Sequence, residues 1–133
     1  MTRLLPAELL AFWRRYHFTG GRFRRFRLIN KGRSEIVFEI VLTIQTNVQK
    51  PAKLKLRFVG VEEYRFAKRP GTVATRIPEA RCSYLSDLFF LTLDAWNLEK
   101  GELPKPHDYR ASDAYVAARE LWYEELPAKP KVA

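Results

Sequence analysis

Every second residue from Ile36 to Ile44 carries a large apolar side chain: Ile36, Phe38, Ile40, Leu42 and Ile44. Between and around them stand Glu35, Val37, Glu39, Val41, Thr43 and Gln45. A period of two in β-branched and aromatic residues predicts a strand over Glu35–Thr46 with one face in the core. A helix of this composition would scatter its apolar side chains all round its axis. The pattern makes this strand the expected centre of the fold. It repeats downstream, where Leu54, Leu56 and Phe58 point one way and Lys53, Lys55 and Arg57 the other. Gly60 interrupts it as an expected bulge or bend, after which Tyr64 and Phe66 share a face.

The stretch Arg22 to Ile29 reads RFRRFRLI, and its two phenylalanines stand three apart. Strict alternation would put them on opposite faces and would send Arg24 to the face of Phe26 and Leu28. A charge on a core face is costly. A β-bulge at Arg24-Arg25 sets two residues against one and removes the conflict. Phe23, Phe26 and Leu28 then face inward, and Arg22, Arg24, Arg25 and Arg27 outward. Residues 30–34, Asn-Lys-Gly-Arg-Ser, have turn composition and join this strand to the next as a hairpin.

Helical spacing is expected at both ends. Leu5, Leu9, Phe12, Trp13 and Tyr16 follow it, with Pro6 suited to a first helical position, so a helix is predicted over residues 6–16. Near the other end, Ser112 or Asp113 can cap a helix whose face is Ala114, Ala117, Ala118, Leu121 and Trp122. Residues 84–96 are apolar on both faces, as in a strand covered on both sides. Pro78 argues against a central strand near it. Gly101, Pro104 and Pro106 mark residues 97–110 as a loop, and Lys68 to Gly71 as a turn follows from the same chemistry. The expected fold is α+β: a mainly antiparallel sheet, either a sandwich or a partly open barrel, with an N-terminal and a C-terminal helix. Residues 1–126 form one domain and residues 127–133 a flexible tail.

Charge changes this picture. The chain of 133 residues has a net charge of +9. Residues 1–34 hold nine Lys and Arg against Glu8 alone, a net +8, while the other 99 residues hold 15 basic and 14 acidic groups. Such asymmetry points to an anionic partner for the first quarter of the chain. The single cysteine, Cys82, excludes an internal disulfide and fits a reducing compartment. No apolar run approaches the roughly 18 residues of a membrane span, and no signal-peptide pattern opens the chain. These features suggest a cytoplasmic protein of bacterial type, with no membrane partner.

Catalytic signatures are sparse. His17, His107 and Cys82 lack the paired spacing of a metal site, so neither a metal nor a cofactor is expected. Cys82-Ser83 has no nucleophile context, and Gly20-Gly21 lacks the further glycines and the lysine of a phosphate loop. Asp87 and Asp94 lie within the apolar run, where a buried carboxylate could act as acid or base, although a strand end or an arginine partner explains each as well. His17 and Asp87 are the candidates for a small pocket. The RFRRFR stretch interleaves aromatics with cations as nucleic-acid binders do. If the bulge turns Phe23 and Phe26 inward, only the arginines remain for backbone contacts.

His17-Phe18-Thr19-Gly20-Gly21-Arg22-Phe23 opens a strand, and Leu54 to Val61 follows as LKLRFVGV. Over residues 16–96 this resembles a group of small bacterial β-sheet domains of unknown function that includes immunity proteins of toxin systems. That group usually opens with a histidine-aspartate pair, and here Phe18 stands in place of the aspartate. The resemblance implies a β-sheet binding protein without established catalysis. The combined expectation is a non-enzymatic, immunity-like interaction protein that binds an acidic protein partner through Arg22, Arg24, Arg25 and Arg27. A nucleic-acid-associated module is the second reading, and a small ligand binder or enzyme the third.

Overall fold

The computed structural model describes residues 1–31, 35–66, 76–95, 98 and 103–127. Seven strands form one sheet: β1 (Thr2–Leu4), β2 (Tyr16–Lys31), β3 (Glu35–Thr46), β4 (Pro51–Phe66), β5 (Arg81–Leu85), β6 (Leu88–Thr92) and β7 (Ala114–Leu126). A 3-10 turn at Pro6–Glu8 leads into α1 (Leu9–Arg15), and α2 (Pro106–Arg110) precedes β7. The sheet order is β2-β3-β4-β7-β6-β5, with β1 also on β7 and every strand pair antiparallel.

The N-terminal helix is present but short. Leu9 and Phe12 are buried, Leu5 is exposed, and Tyr16 already belongs to β2. Phe12, Tyr16 and Tyr123 gather there, with ring centroids 4.9–6.2 Å apart.

The C-terminal helix is not there. Residues 114–126 are β7, which pairs with β4 along its length and with β6 and β1 on its other edge. The alanines produced the helical pattern because both faces of this strand are buried over Tyr115, Val116, Ala117 and Ala118. Val116 and Ala118 pack in the main core, while Tyr115 and Ala117 pack in a second cluster with Leu88, Phe90 and Tyr109. Alanine's helix preference is at most a few tenths of a kcal/mol per residue over most others, and two ladders of backbone bonds override it. β7, and not β3, is therefore the middle of the sheet.

Residues 84–96 divide at a tight hairpin. Ser86 and Asp87 have φ of 53° and 63° between the paired Leu85 and Leu88, the geometry of a two-residue turn whose central residues both need positive φ. β6 beyond it is buried at every position. Its two faces serve the two clusters, Phe89 and Leu91 the main core and Leu88 and Phe90 the second, which α2 covers through Tyr109. The expected coverage on both sides holds for this strand. Within residues 97–110, α2 occupies the end of the expected loop.

The bulge in β2 is where the phenylalanine spacing put it. The ladder pairs Phe23 with Leu42, then Arg25 with Val41 and Phe26 with Ile40, leaving Arg24 as the extra residue. Phe23 and Phe26 pack against the main core beside Phe38 and Phe66, with centroids 4.8–6.0 Å apart. Leu28 lies on the same side, opposite Phe38, but at the rim, where it is 45% exposed. A second irregularity lies between His17 and Arg22, where a side chain at Gly21 would meet the Thr43 carbonyl oxygen at 2.7 Å. Gly60 takes φ +69°, and the β4 ladder shifts just after it, between Val61 and Glu63.

The sheet is open. Its edge strands β2 and β5 are linked at one end by Arg76 to Ala80. Gly20 donates to the Ile77 carbonyl and Ile77 to that of Gly21, both at 2.8 Å, and the Ala80 amide donates to Thr19 Oγ1 at 3.1 Å. Of the turn expected over residues 30–34, Asn30 and Lys31 instead continue β2, paired with Ile36 and Glu35. Residues 32–34, the turn expected at residues 68–71, and residues 128–133 of the expected tail 127–133 lie outside the described residues.

Two variants test this architecture. Phe38 is 0% exposed and stacks on both Phe26 and Phe66, so Phe38→Ala should cost about 3–5 kcal/mol in chemical denaturation. An unchanged midpoint would remove Phe38 from the core. Deleting Arg24 alone should keep a cooperative melt, because Phe23 and Phe26 then alternate regularly. Deleting Arg24 and Arg25 together puts the two rings on opposite faces and should abolish it.

Candidate partner-binding face

The residues between the core positions of β2, β3 and β4 share the outer face of the sheet. The register lines them up in rows: Arg22, Thr43 and Lys53; Arg25, Val41 and Lys55; Arg27, Glu39 and Arg57. Successive rows are about 7 Å apart, and β2 and β4 are about 10 Å apart across β3. Arg24, as the bulged residue, joins this face: its Nε donates to Thr43 Oγ1 at 2.9 Å. Arg76 joins as well, bridged to Arg22 at the start of the Arg76 to Ala80 link, a strap between the sheet edges. Arg22, Arg24, Arg25 and Arg27 are all exposed.

Lys53, Lys55 and Arg57 are half-buried, and their stems flank β3, where Val37 and Val41 are each only 3% exposed. Long cationic side chains commonly lay apolar stems over such residues and keep their charges in water. A shallow cleft of about 210 Å³ lies between Arg25, Phe26, Arg27, Glu39, Val41 and Lys55.

Glu39 is the one acid in these rows. Its carboxylate, 7% exposed, accepts the Arg57 Nε bond at 2.8 Å, with Arg57 Nη2 at 2.7 Å, Lys55 at 3.5 Å and Arg27 at 4.0 Å. Burial pushes the carboxyl's pKa up. The Arg57 hydrogen bond and the charges of Arg57 and Lys55 outweigh it and hold the value below the usual carboxylate range. Arg27 reaches this group only at the limit of an ion pair and stays 73% exposed.

Sequence reasoning placed the arginines of β2 but did not join Lys53, Lys55 and Arg57 to them. Their alternation with Leu54, Leu56 and Phe58 was the signal; the register supplied the connection. Nothing local to Arg76 marks it, because its neighbour Arg22 is 54 residues away in the chain.

The other candidates lie elsewhere. His17 is exposed and pairs with Gln45 near the start of β2. Asp87 is exposed at the β5–β6 hairpin tip, so the reading of a carboxylate buried within an apolar strand does not hold for it. Asp94 is half-buried just beyond β6, beside Glu79. Cys82 packs against the main core, and burial pushes its thiol up to about 12, so it stays protonated at neutral pH. Burial, followed by the hydrogen bond it donates to Glu125 at 2.6 Å, raises Tyr16 to about 12. Burial also raises Tyr109, whose hydroxyl is bonded to that of Ser83. Among the described residues no three His, Cys, Asp or Glu side chains gather where a metal could bind, and no helix is long and apolar enough to cross a membrane.

No family model, curated protein or solved structure matches the chain.

Glu39 sets a pH dependence. Its folded pKa lies below its unfolded value, so its contribution to stability is present above about 4.5 and is lost as pH falls through the lower folded value. Glu39→Gln should flatten the acid limb of a stability-versus-pH profile in that window. An acid limb identical to the wild type's would show that Glu39 gains nothing from its cations.

Proposed function

We propose that the protein is a non-enzymatic interaction module that binds an acidic protein partner through the outer face of β2, β3 and β4. One observation supports this most. Arg22, Arg24, Arg25, Arg27, Lys53, Lys55 and Arg57 share one face, and the three rows they occupy on β2, β3 and β4 contain a single acid, Glu39, with Glu124 of β7 next in line beyond Lys55. Like charges held together repel one another, and an anionic partner relieves that repulsion while gaining charge-assisted hydrogen bonds. The resemblance over residues 16–96 would make the partner a toxin and this chain its immunity-like inhibitor.

A nucleic-acid partner is the second reading, favoured by the same cations. Phe23 and Phe26 weigh against it, because they pack against the core on the opposite side and offer no stacking platform to bases.

Replacing Arg22, Arg24, Arg25 and Arg27 together by Gln should leave the melting midpoint nearly unchanged, since an exposed substitution typically shifts stability by about 0.5 kcal/mol or less. The same variant should lose retention of a polyglutamate probe at low salt. Equal retention by variant and wild type would refute the reading. Tighter retention of duplex DNA, with log affinity falling against log salt by about 0.9 per phosphate neutralised, would favour the nucleic-acid alternative.

A further inference from the structure

The basic face has two unequal ends. Around Glu39 the charges are largely met from within: Arg57 of its own row and Lys55 of the next pair with its carboxylate, and Arg27 lies at 4.0 Å. At the other end stand Arg22, Arg24, Arg25 and Arg76. Among the described residues none of these four forms a salt bridge, and all are exposed.

Two devices shape this end. The bulge puts consecutive residues, Arg24 and Arg25, on one face, which a regular strand cannot do. Thr43 then holds Arg24 through Nε, and the two terminal guanidinium nitrogens of this exposed side chain take no part in that bond. A guanidinium fixed in this way loses less freedom when it takes up a carboxylate.

Resting on the reading above, we propose that Arg22, Arg24 and Arg25, with Arg76 beside them, hold an extended acidic protein segment that lies along β2. Arg27 contributes only its field. Alternate side chains of an extended segment are about 7 Å apart, the same as the step between rows along β2. Carboxylates on every second residue therefore meet successive rows, and each guanidinium offers a planar fork that a carboxylate fits in bidentate fashion. A nucleic-acid strand is a poorer occupant. Its bases would find no stacking platform here, because Phe23 and Phe26 pack against the core on the opposite side.

The test is a fluorescence-anisotropy titration at low salt with two probes: a peptide alternating Glu and Thr, and an oligodeoxythymidine of equal charge. Arg24→Gln and Arg25→Gln should each weaken peptide binding by about tenfold, the loss of one charge-assisted contact, and Arg27→Gln by less than about twofold. Thr43→Val should weaken it about threefold with no change in charge, and Thr43→Ser should restore it, marking Thr43 as a positioning residue. Thermal melts of each variant separate lost binding from lost folding. Equal losses for Arg27→Gln and Arg25→Gln would overturn this assignment and leave the general basic-face reading standing. Tighter binding of the oligodeoxythymidine than of the peptide would overturn the choice of occupant. Undiminished peptide binding by the fourfold Arg→Gln variant would overturn both.

Discussion

The structure depends on the two-sided hydrogen bonding of β7. One edge of this strand pairs with β4 from Phe66↔Ala114 to Lys53↔Leu126, and the other serves β6 and then β1. Without it the three-stranded unit β2–β3–β4 and the hairpin β5–β6 would be separate pieces with exposed edges, and an isolated two-stranded hairpin such as β5–β6 is marginal in water. The same strand divides the apolar interior. Val116 and Ala118 complete the main core on one face, while Tyr115 and Ala117 seat the second cluster on the other. Small residues at 117 and 118 let both layers approach the strand. α2 is held over the second layer by the buried Tyr109 and by Arg110, which donates to Glu63 at 2.8 and 2.9 Å.

The basic face follows from this frame. Three long strands in fixed register carry cations in rows on the outside because their apolar residues are committed to the core. Glu39 gives the rows an internal counter-charge and fixes Arg57, while the end near Thr43 has no acid of its own. The core on the reverse side benefits from the same residues, since the bulge that gathers the arginines also turns Phe23 and Phe26 toward Phe38 and Phe66.

The chemistry candidates separate by place. The groups whose proton affinities burial shifts most, Cys82, Tyr16 and Tyr109, are tied into packing. Tyr16 donates to Glu125 and Tyr109 is bonded to Ser83, so their hydroxyls are committed within the fold. His17 and Asp87 are on the surface, the first in a ladder and the second at a turn. This division directs attention to the charged face and away from a buried pocket.

How much of this was written in the sequence varies by element, and the physical reason is range. The strand at Glu35–Thr46, the bulge at Arg24-Arg25 and the inward turn of Phe23 and Phe26 were legible, because side-chain alternation is a local property with a period of two. Ser86 and Asp87 were misread as strand interior: their positive φ carries a weak signal when neither residue is Gly or Asn. β7 was misread altogether. Its alanines at 114, 117 and 118 fit a helical stripe, and only burial on both faces, set by strands distant in the chain, made that spacing compatible with a strand. The sequence by itself determined which residues are cationic and which alternate with core positions. Tertiary structure decided that Arg22, Thr43, Lys53 and Arg76 stand at the same end of one face. That juxtaposition depends on ladder register and on a strap between sheet edges, and both are fixed by contacts that no local pattern records.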